Sequence, residues 1–98
     1  MDWLWTWGGK CFGYRDGEDL FTYGGRHAGR FHDEEVYGAD GRYLGEIMSG
    51  RLITNRSKTS WRKYAFGPQH RGGYAKYADY AGYAMYAGHE DFPPPEKF

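Results

Sequence analysis

The feature that most constrains the fold of this chain is a 16-residue repeat in its first half. Residues 5–10 (WTWGGK) recur as residues 21–26 (FTYGGR), and the same shift places residues 40–42 (DGR) on the same turn. An apolar pair opens each unit, so the units begin near residues 4, 20, 36 and 52. Three copies are clear and the fourth is weaker, because Trp61 stands where the others have glycine. A gapless internal period indicates a repeat architecture.

Each unit has the composition of a β-hairpin. A short aromatic and β-branched run meets Gly-Gly or Asp-Gly, which is a strong signal for a tight hairpin turn. The second strand of each clear unit carries another glycine (Gly13, Gly29, Gly45), which indicates a bulge, a bend or an aromatic ring on bare backbone. Repeats cannot bury a face alone, and a closed ring leaves no exposed sheet edge. We therefore predict a mainly β protein of hairpin repeats with pseudo-four-fold symmetry.

Aromatic residues must supply much of the buried area. The chain has 98 residues, of which 40% are hydrophobic and 20% are aromatic, so one domain with a small core is expected. Strand alternation places Trp3, Trp5 and Trp7 on one face. Because tyrosine and tryptophan suit thin cores and interfaces, we expect a homo-oligomer.

The C-terminal third carries a Tyr-Ala arm, residues 74–88, in which tyrosine recurs every third residue. A period of three matches neither the helix nor the strand, and it fits a polyproline-II rod, although alanine content and base rates favour a helix.

We divide the chain into a repeat domain, 1–66, and a C-terminal part, 67–98. The latter contains a Gly/Pro hinge, the Tyr-Ala arm and a proline tail, and we expect this part to pack on its own domain or on a neighbouring subunit. The predicted interface consists of Trp3, Trp5, Trp7, Tyr74, Tyr77, Tyr80, Tyr83 and Tyr86.

Two registers of the repeat carry polar side chains. Lys10, Arg26, Arg42 and Lys58 recur once per unit, and around an axis they would form a basic ring able to bind phosphate, sulfate or carboxylate. The alternative is four separate surface cations, each paired with a nearby acid. A sugar stacked on the aromatic rings is a further ligand class.

The next register holds Cys11, His27, Tyr43 and Thr59, which supply a thiol and an imidazole. Nothing in the sequence orders them as a triad, so a mixed packing layer is favoured. No nucleophile elbow, zinc-protease or Cys-x-x-Cys motif occurs. The sequence predicts no catalytic residue, no metal site and no cofactor, and the expected protein is not an enzyme.

Residues 51–73 contain six cations and no acid, and Trp61, Tyr64 and Phe66 lie among them. That pattern is compatible with nucleic-acid binding, but the net charge of zero favours neutralisation of acidic turns within the protein. With one cysteine, no apolar leader and no membrane-length apolar run, a cytoplasmic location without membrane association is expected.

The runs LFTYGGRHAGRF (20–31), GRYLGEI (41–47) and GRLITN (50–55) resemble the four-fold β-flower family. These are small bacterial proteins, some of them encoded by integron gene cassettes. The resemblance covers about residues 3–60. It implies a pseudo-four-fold β fold of uncharacterised function and brings no functional residues with it.

Overall fold

The computed structural model, which describes residues 1–98, consists of short β-strands and contains no α-helix. The strands are β1 (Asp2–Thr6), β2 (Cys11–Asp16), β3 (Asp19–Thr22), β4 (His27–His32), β5 (Glu35–Tyr37), β6 (Tyr43–Met48), β7 (Arg51–Asn55) and β8 (His89–Asp91). Single turns of 3₁₀ helix occur at Arg56–Lys58 and Pro95–Lys97. No helix of the chain has the length and apolarity that a membrane crossing requires.

Strands β1 to β7 form an antiparallel meander that closes into a barrel. The closure is a short parallel pairing of β1 with β7, in which Trp5 lies opposite Arg51 and Thr6 opposite Leu52. The other half of β7 pairs with β8, which begins at His89. The units are therefore β1–β2, β3–β4, β5–β6 and β7–β8. This arrangement confirms the prediction of a mainly β fold built from hairpin repeats.

The three clear units share the same irregularity. Each first strand shifts register immediately after its leading apolar residue, at Leu4, Leu20 and Val36. These shifts are the bulges that the strand glycines indicate, and the partners across the ladder are those glycines. At Gly45 the bare backbone also makes room for an aromatic ring, because a Cβ there would overlap the ring of Phe92.

Four residues spaced by 16 positions form the centre of the core: Leu4, Leu20, Val36 and Leu52 are all buried inside the barrel. Phe12 and Ala28 belong to the same cluster, with Leu44 packed against it. Phe92, directly after β8, contacts Phe12 edge to face at 5.3 Å between ring centroids and stacks with Phe98. The C-terminal residues thus fill one end of the barrel with aromatic side chains.

The fourth unit obtains its second strand from the far end of the chain. By the repeat, residues 59–64 should return along β7, but they form only an isolated bridge between Arg42 and Arg62. Strand β8 takes their place, 30 residues later in the sequence. The weak fourth copy is therefore a first strand without its own partner strand.

The intervening residues, 59–88, form a wrapping segment that runs along the outside of the barrel without helix or regular strand. It passes the third, second and first units in that order. At each unit two backbone N–H groups of the segment donate to the hairpin turn. One donates to the carbonyl of the glycine at the second turn position, and the other donates to the carbonyl two residues before that glycine. The pairs are Lys63–Gly41 and Phe66–Ala39, Arg71–Gly25 and Tyr74–Tyr23, Tyr80–Gly9 and Tyr83–Trp7, at 2.7–3.0 Å.

Of the two conformations that the sequence leaves open for the Tyr-Ala arm, helix and extended chain, the structure excludes the helix. Alanine favours a helix by only tenths of a kcal/mol, up to about 1 kcal/mol per residue against glycine. Docking on the barrel instead requires backbone N–H groups that point outward from the segment, and a helix would use them internally. Tertiary contacts decide the conformation here.

The turn glycines permit this docking. Gly9, Gly25 and Gly41 have φ of +94°, +91° and +85°, and a Cβ on any of them would overlap a carbonyl oxygen of the wrapping segment. The Gly-Gly and Asp-Gly turns therefore serve two purposes, since they reverse the strand direction and admit a second backbone at close range.

We predict that Gly41→Ala destabilises the protein far more than Gly50→Ala. Both glycines have positive φ, +85° and +75°, but a Cβ at Gly50 has no neighbour within 4 Å, whereas one at Gly41 meets the Lys63 carbonyl. Backbone strain of about 1–2 kcal/mol applies to both. The overlap adds ~1–3 kcal/mol at Gly41 alone. Urea unfolding followed by circular dichroism measures the difference, and equal losses would show that the docking does not depend on this glycine.

Candidate functional site

The side chains of the Tyr-Ala arm form a continuous aromatic surface with the three tryptophans of β1 and its turn. Trp3 packs against Tyr77 edge to face at 4.8 Å, and Trp5 stacks on Tyr80 at 4.3 Å between ring centroids. Trp7 contacts Tyr83 at 5.0 Å. The remaining tyrosines extend the row at both ends, with Tyr74 beside Trp3 and Tyr86 beside Trp7. We call Tyr74, Tyr77, Tyr80, Tyr83 and Tyr86 the tyrosine stripe.

Hydrogen bonds fix the layer beneath the stripe. The indole N–H of Trp5 donates to the Ala78 carbonyl and that of Trp7 to the Ala84 carbonyl, both at 2.9 Å. The guanidinium of buried Arg51 donates to the Ala81 carbonyl at 2.7 Å and lies 3.6 Å from the ring centroid of Tyr83. The stripe is thus held against the barrel through both its backbone and its rings.

The stripe is the outer surface of this layer. Its five tyrosines are 48–55% exposed, whereas Trp7 is buried and Trp3 and Trp5 are half-buried beneath them. All eight predicted interface residues therefore meet in one place, where tyrosine faces solvent and tryptophan faces the barrel.

An open cleft of about 530 Å³ lies at the C-terminal end of the stripe. Trp7, Tyr83, Met85 and Tyr86 are among the residues that line it. Met85 is 47% exposed between the last two tyrosines. The cleft gives this end of the stripe a concave, mostly apolar floor.

The predicted cation register divides into two pairs. Lys58 is bound by Glu35 at 2.8 Å and Glu46 at 2.9 Å, and Lys10 by Glu96 at 3.4 Å. Arg26 and Arg42 take part in no ion pair. Half of the register is therefore neutralised within the chain, and anion binding by all four cations together has little support.

Around Lys58 lies a small network of carboxylates and phenols on the third unit. The hydrogen bonds that Lys58 donates to the two carboxylates raise the pKa of Lys58. Burial raises the pKa of Glu35, but the hydrogen bonds from Lys58 and Tyr37 outweigh it, so the pKa of Glu35 is lowered. Burial, together with the Glu35 carboxylate, raises the pKa of Tyr37 to about 12. The pKa of Tyr43 is also raised, first by burial and then by its hydrogen bond to Glu46.

We predict that the protein loses stability in alkali as Tyr37 ionises. A phenol with a folded-state pKa near 12 and an ordinary pKa of 10 contributes stability that is complete below pH 10 and is lost as the pH rises toward 12. Phenolate absorbance should show late-titrating tyrosines, because the pKa of Tyr43 is raised as well, and Tyr37→Phe should remove the earlier of these two transitions. Glu35→Gln should lower the apparent pKa of Tyr37, and an unchanged titration in that variant would contradict the assigned cause.

The register of Cys11, His27, Tyr43 and Thr59 supports packing and docking. The backbone N–H groups of the first three donate to the wrapping segment: to the Asp79 carboxylate, His70 Nδ1 and the Trp61 carbonyl, respectively. Thr59 follows the 3₁₀ turn, where its hydroxyl donates to the Arg56 carbonyl at 3.3 Å and its own carbonyl accepts from Arg62 at 3.1 Å. These residues mark the same position in successive units.

The thiol and the imidazole of this register are both buried. His27 Nε2 lies 3.0 Å from Asp19 Oδ1, and its Nδ1 accepts the Gln69 N–H at 2.9 Å, so both ring nitrogens are occupied. Cys11 is buried, and that burial raises the pKa of its thiol. No three His, Cys, Asp or Glu side chains converge as metal ligands would.

The basic residues between 51 and 73 are largely engaged by their own chain. Arg71 pairs with Asp16 at 2.6 Å and Arg56 with Glu90 at 3.7 Å, besides the Lys58 pairs. The guanidinium of Arg62 donates to neighbouring backbone carbonyls. These contacts favour the interpretation that the segment neutralises acids of the same protein.

The sequence reasoning missed one region, the turn of the third unit. Gly38, Ala39 and Asp40 stand where the first two units have threonine, an aromatic residue and glycine. Asp40 accepts the Arg42 N–H at 3.0 Å and so replaces the threonine hydroxyl that accepts this bond elsewhere. This departure is visible when the 16-residue units are aligned with one another. Gly38, Ala39 and Asp40 line an open cleft of about 460 Å³ beside the turn.

Comparisons with protein-family models, with curated proteins and with solved structures return no match to this chain.

Proposed function

We propose that the protein is a non-enzymatic interaction protein that binds a second copy of itself through the tyrosine stripe. The observation that carries this proposal is the row of five tyrosines, each about half exposed, on a layer already fixed by tryptophan rings and hydrogen bonds. Tyrosine is enriched where proteins meet, because it combines large apolar area with a polar tip.

The area of the stripe suits a dimer. Five half-exposed tyrosines present roughly 400–600 Å². A stable interface needs about 800 Å² from each partner, and exposed apolar patches of several hundred Å² usually mark interaction sites. Exposed Met85 and the alanines between the tyrosines supply further apolar surface.

Charge and ring geometry favour another copy over a linear sugar. The chain has zero net charge, so two copies meet without net repulsion. Stacking along a sugar chain is favoured by rings of like orientation, but Tyr77 lies at 87° to Trp3 whereas Tyr80 lies at 23° to Trp5, so neighbouring stripe tyrosines are set differently on the tryptophans that they contact. Such varied orientations suit interdigitation with protein side chains.

We predict that the wild-type protein sediments at twice the mass of one chain and that Met85→Glu gives a monomer. Met85 lies between two stripe tyrosines, and a charge there would have to be desolvated on association. Tyr77→Arg probes the other half of the stripe. Sedimentation velocity over a concentration series measures the mass, and circular dichroism verifies that each variant is folded.

Tyr64→Glu is the matched control, because Tyr64 belongs to the same segment, is 97% exposed and lies outside the stripe. It should dimerise as the wild type does. A wild-type protein that stays monomeric at all concentrations, or a folded Met85→Glu variant that dimerises with unchanged affinity, would refute the proposal.

A further inference from the structure

An open cleft of about 460 Å³ lies between the second and third units, away from the tyrosine stripe. Its apolar floor is formed by Ala28, Leu44 and Phe98, and Arg26, Asp40 and His70 lie on its walls. A volume of this size falls within the range of small-molecule sites, which combine an apolar lining with a few polar groups.

The repeat explains why an open cleft exists at this place. The corresponding gap between the first and second units has Phe12, Thr22 and Tyr23 where this one has Ala28, Gly38 and Ala39. All three positions are smaller between the second and third units. The space that larger side chains occupy in one gap is therefore open in the next.

The charges that border the cleft are opposite in sign and solvent-exposed, and neither is paired with another charge. Arg26 and Asp40 both line it, yet neither takes part in any ion pair, so they lie beyond ion-pair distance of each other. Asp40 uses Oδ1 to accept the Arg42 N–H, which leaves its second oxygen available. In the equivalent positions of the preceding gap, Lys10 pairs with Glu96 and a glycine, Gly24, replaces the aspartate.

We propose that this cleft binds a small zwitterion of the amino-acid class. Arg26 takes the carboxylate, because a guanidinium forms two parallel hydrogen bonds with it. Asp40 takes the ammonium group, and the floor of Ala28, Leu44 and Phe98 receives an apolar side chain. An anion alone would leave Asp40 unpaired, and an amine alone would leave Arg26 unpaired.

The test is an NMR titration of the full chain with the twenty free amino acids, followed by analogues of the best binder. Saturable shifts should appear at Ala28, Ala39 and His70. For leucine as the binder, leucinamide lacks the carboxylate and 4-methylpentanoate lacks the amine, and each should bind at least tenfold more weakly. A panel without saturable shifts at these residues would overturn the proposal, as would equal binding of the three compounds.

Three variants localise the site. Arg26→Gln and Asp40→Asn should each weaken binding at least tenfold, and the asparagine keeps the oxygen that accepts the Arg42 N–H. Lys10→Gln is the control, since Lys10 occupies the position of Arg26 in the first unit and does not line the cleft. The proposal fails if Lys10→Gln weakens binding as much as Arg26→Gln does.

Discussion

The structure depends on hydrogen bonds between two backbones that meet at the hairpin turns. At each of the three clear units the wrapping segment donates to two turn carbonyls, and the start of the next strand donates back to the segment. These bonds occupy backbone groups that a tight turn would otherwise leave to water. Successive turns of the barrel are 16 residues apart in the sequence, and the wrapping segment passes from one turn to the next in eight or nine residues. Its donors at the three turns are Lys63, Arg71 and Tyr80.

The period of three in the Tyr-Ala arm determines how its tyrosines meet the tryptophans of β1 and its turn. Tryptophans on one face of a strand recur every two residues, about 6.8 Å apart, whereas residues of an extended three-fold rod recur every 9.3 Å or so. Rings with these two spacings drift out of register, so each tryptophan contacts a second tyrosine besides its nearest one. Trp3 accordingly contacts two tyrosines, and Tyr77 is shared between Trp3 and Trp5. Interleaved rings of this kind leave the outer half of every tyrosine uncovered.

Much of the barrel could be predicted from the sequence, because its signals are local. The turn glycines, the leading apolar pairs and the glycines opposite the bulges all lie within one unit. Strand β8 could not be predicted, since His89, Glu90 and Asp91 are polar and become a strand only through pairing with β7. The residues of the tyrosine stripe could be identified from the sequence, but their position on the outside of the barrel could not. The cleft could not be predicted from the repeat, because it lies where Gly38 and Ala39 depart from the pattern that the units share.

The distant origin of β8 also bears on how the molecule folds. A barrel whose fourth hairpin joins Ile53 to Asp91 cannot complete its ladder until nearly the whole chain is present. The local hairpins can form early, but closure involves a long loop and raises the contact order, which slows folding. Because the three docking sites are alike, the wrapping segment can also dock one unit out of register on the way. The acceptors that differ between sites, namely the Trp61 carbonyl, the His70 ring and the Asp79 carboxylate, are then what separates the native register from its near copies.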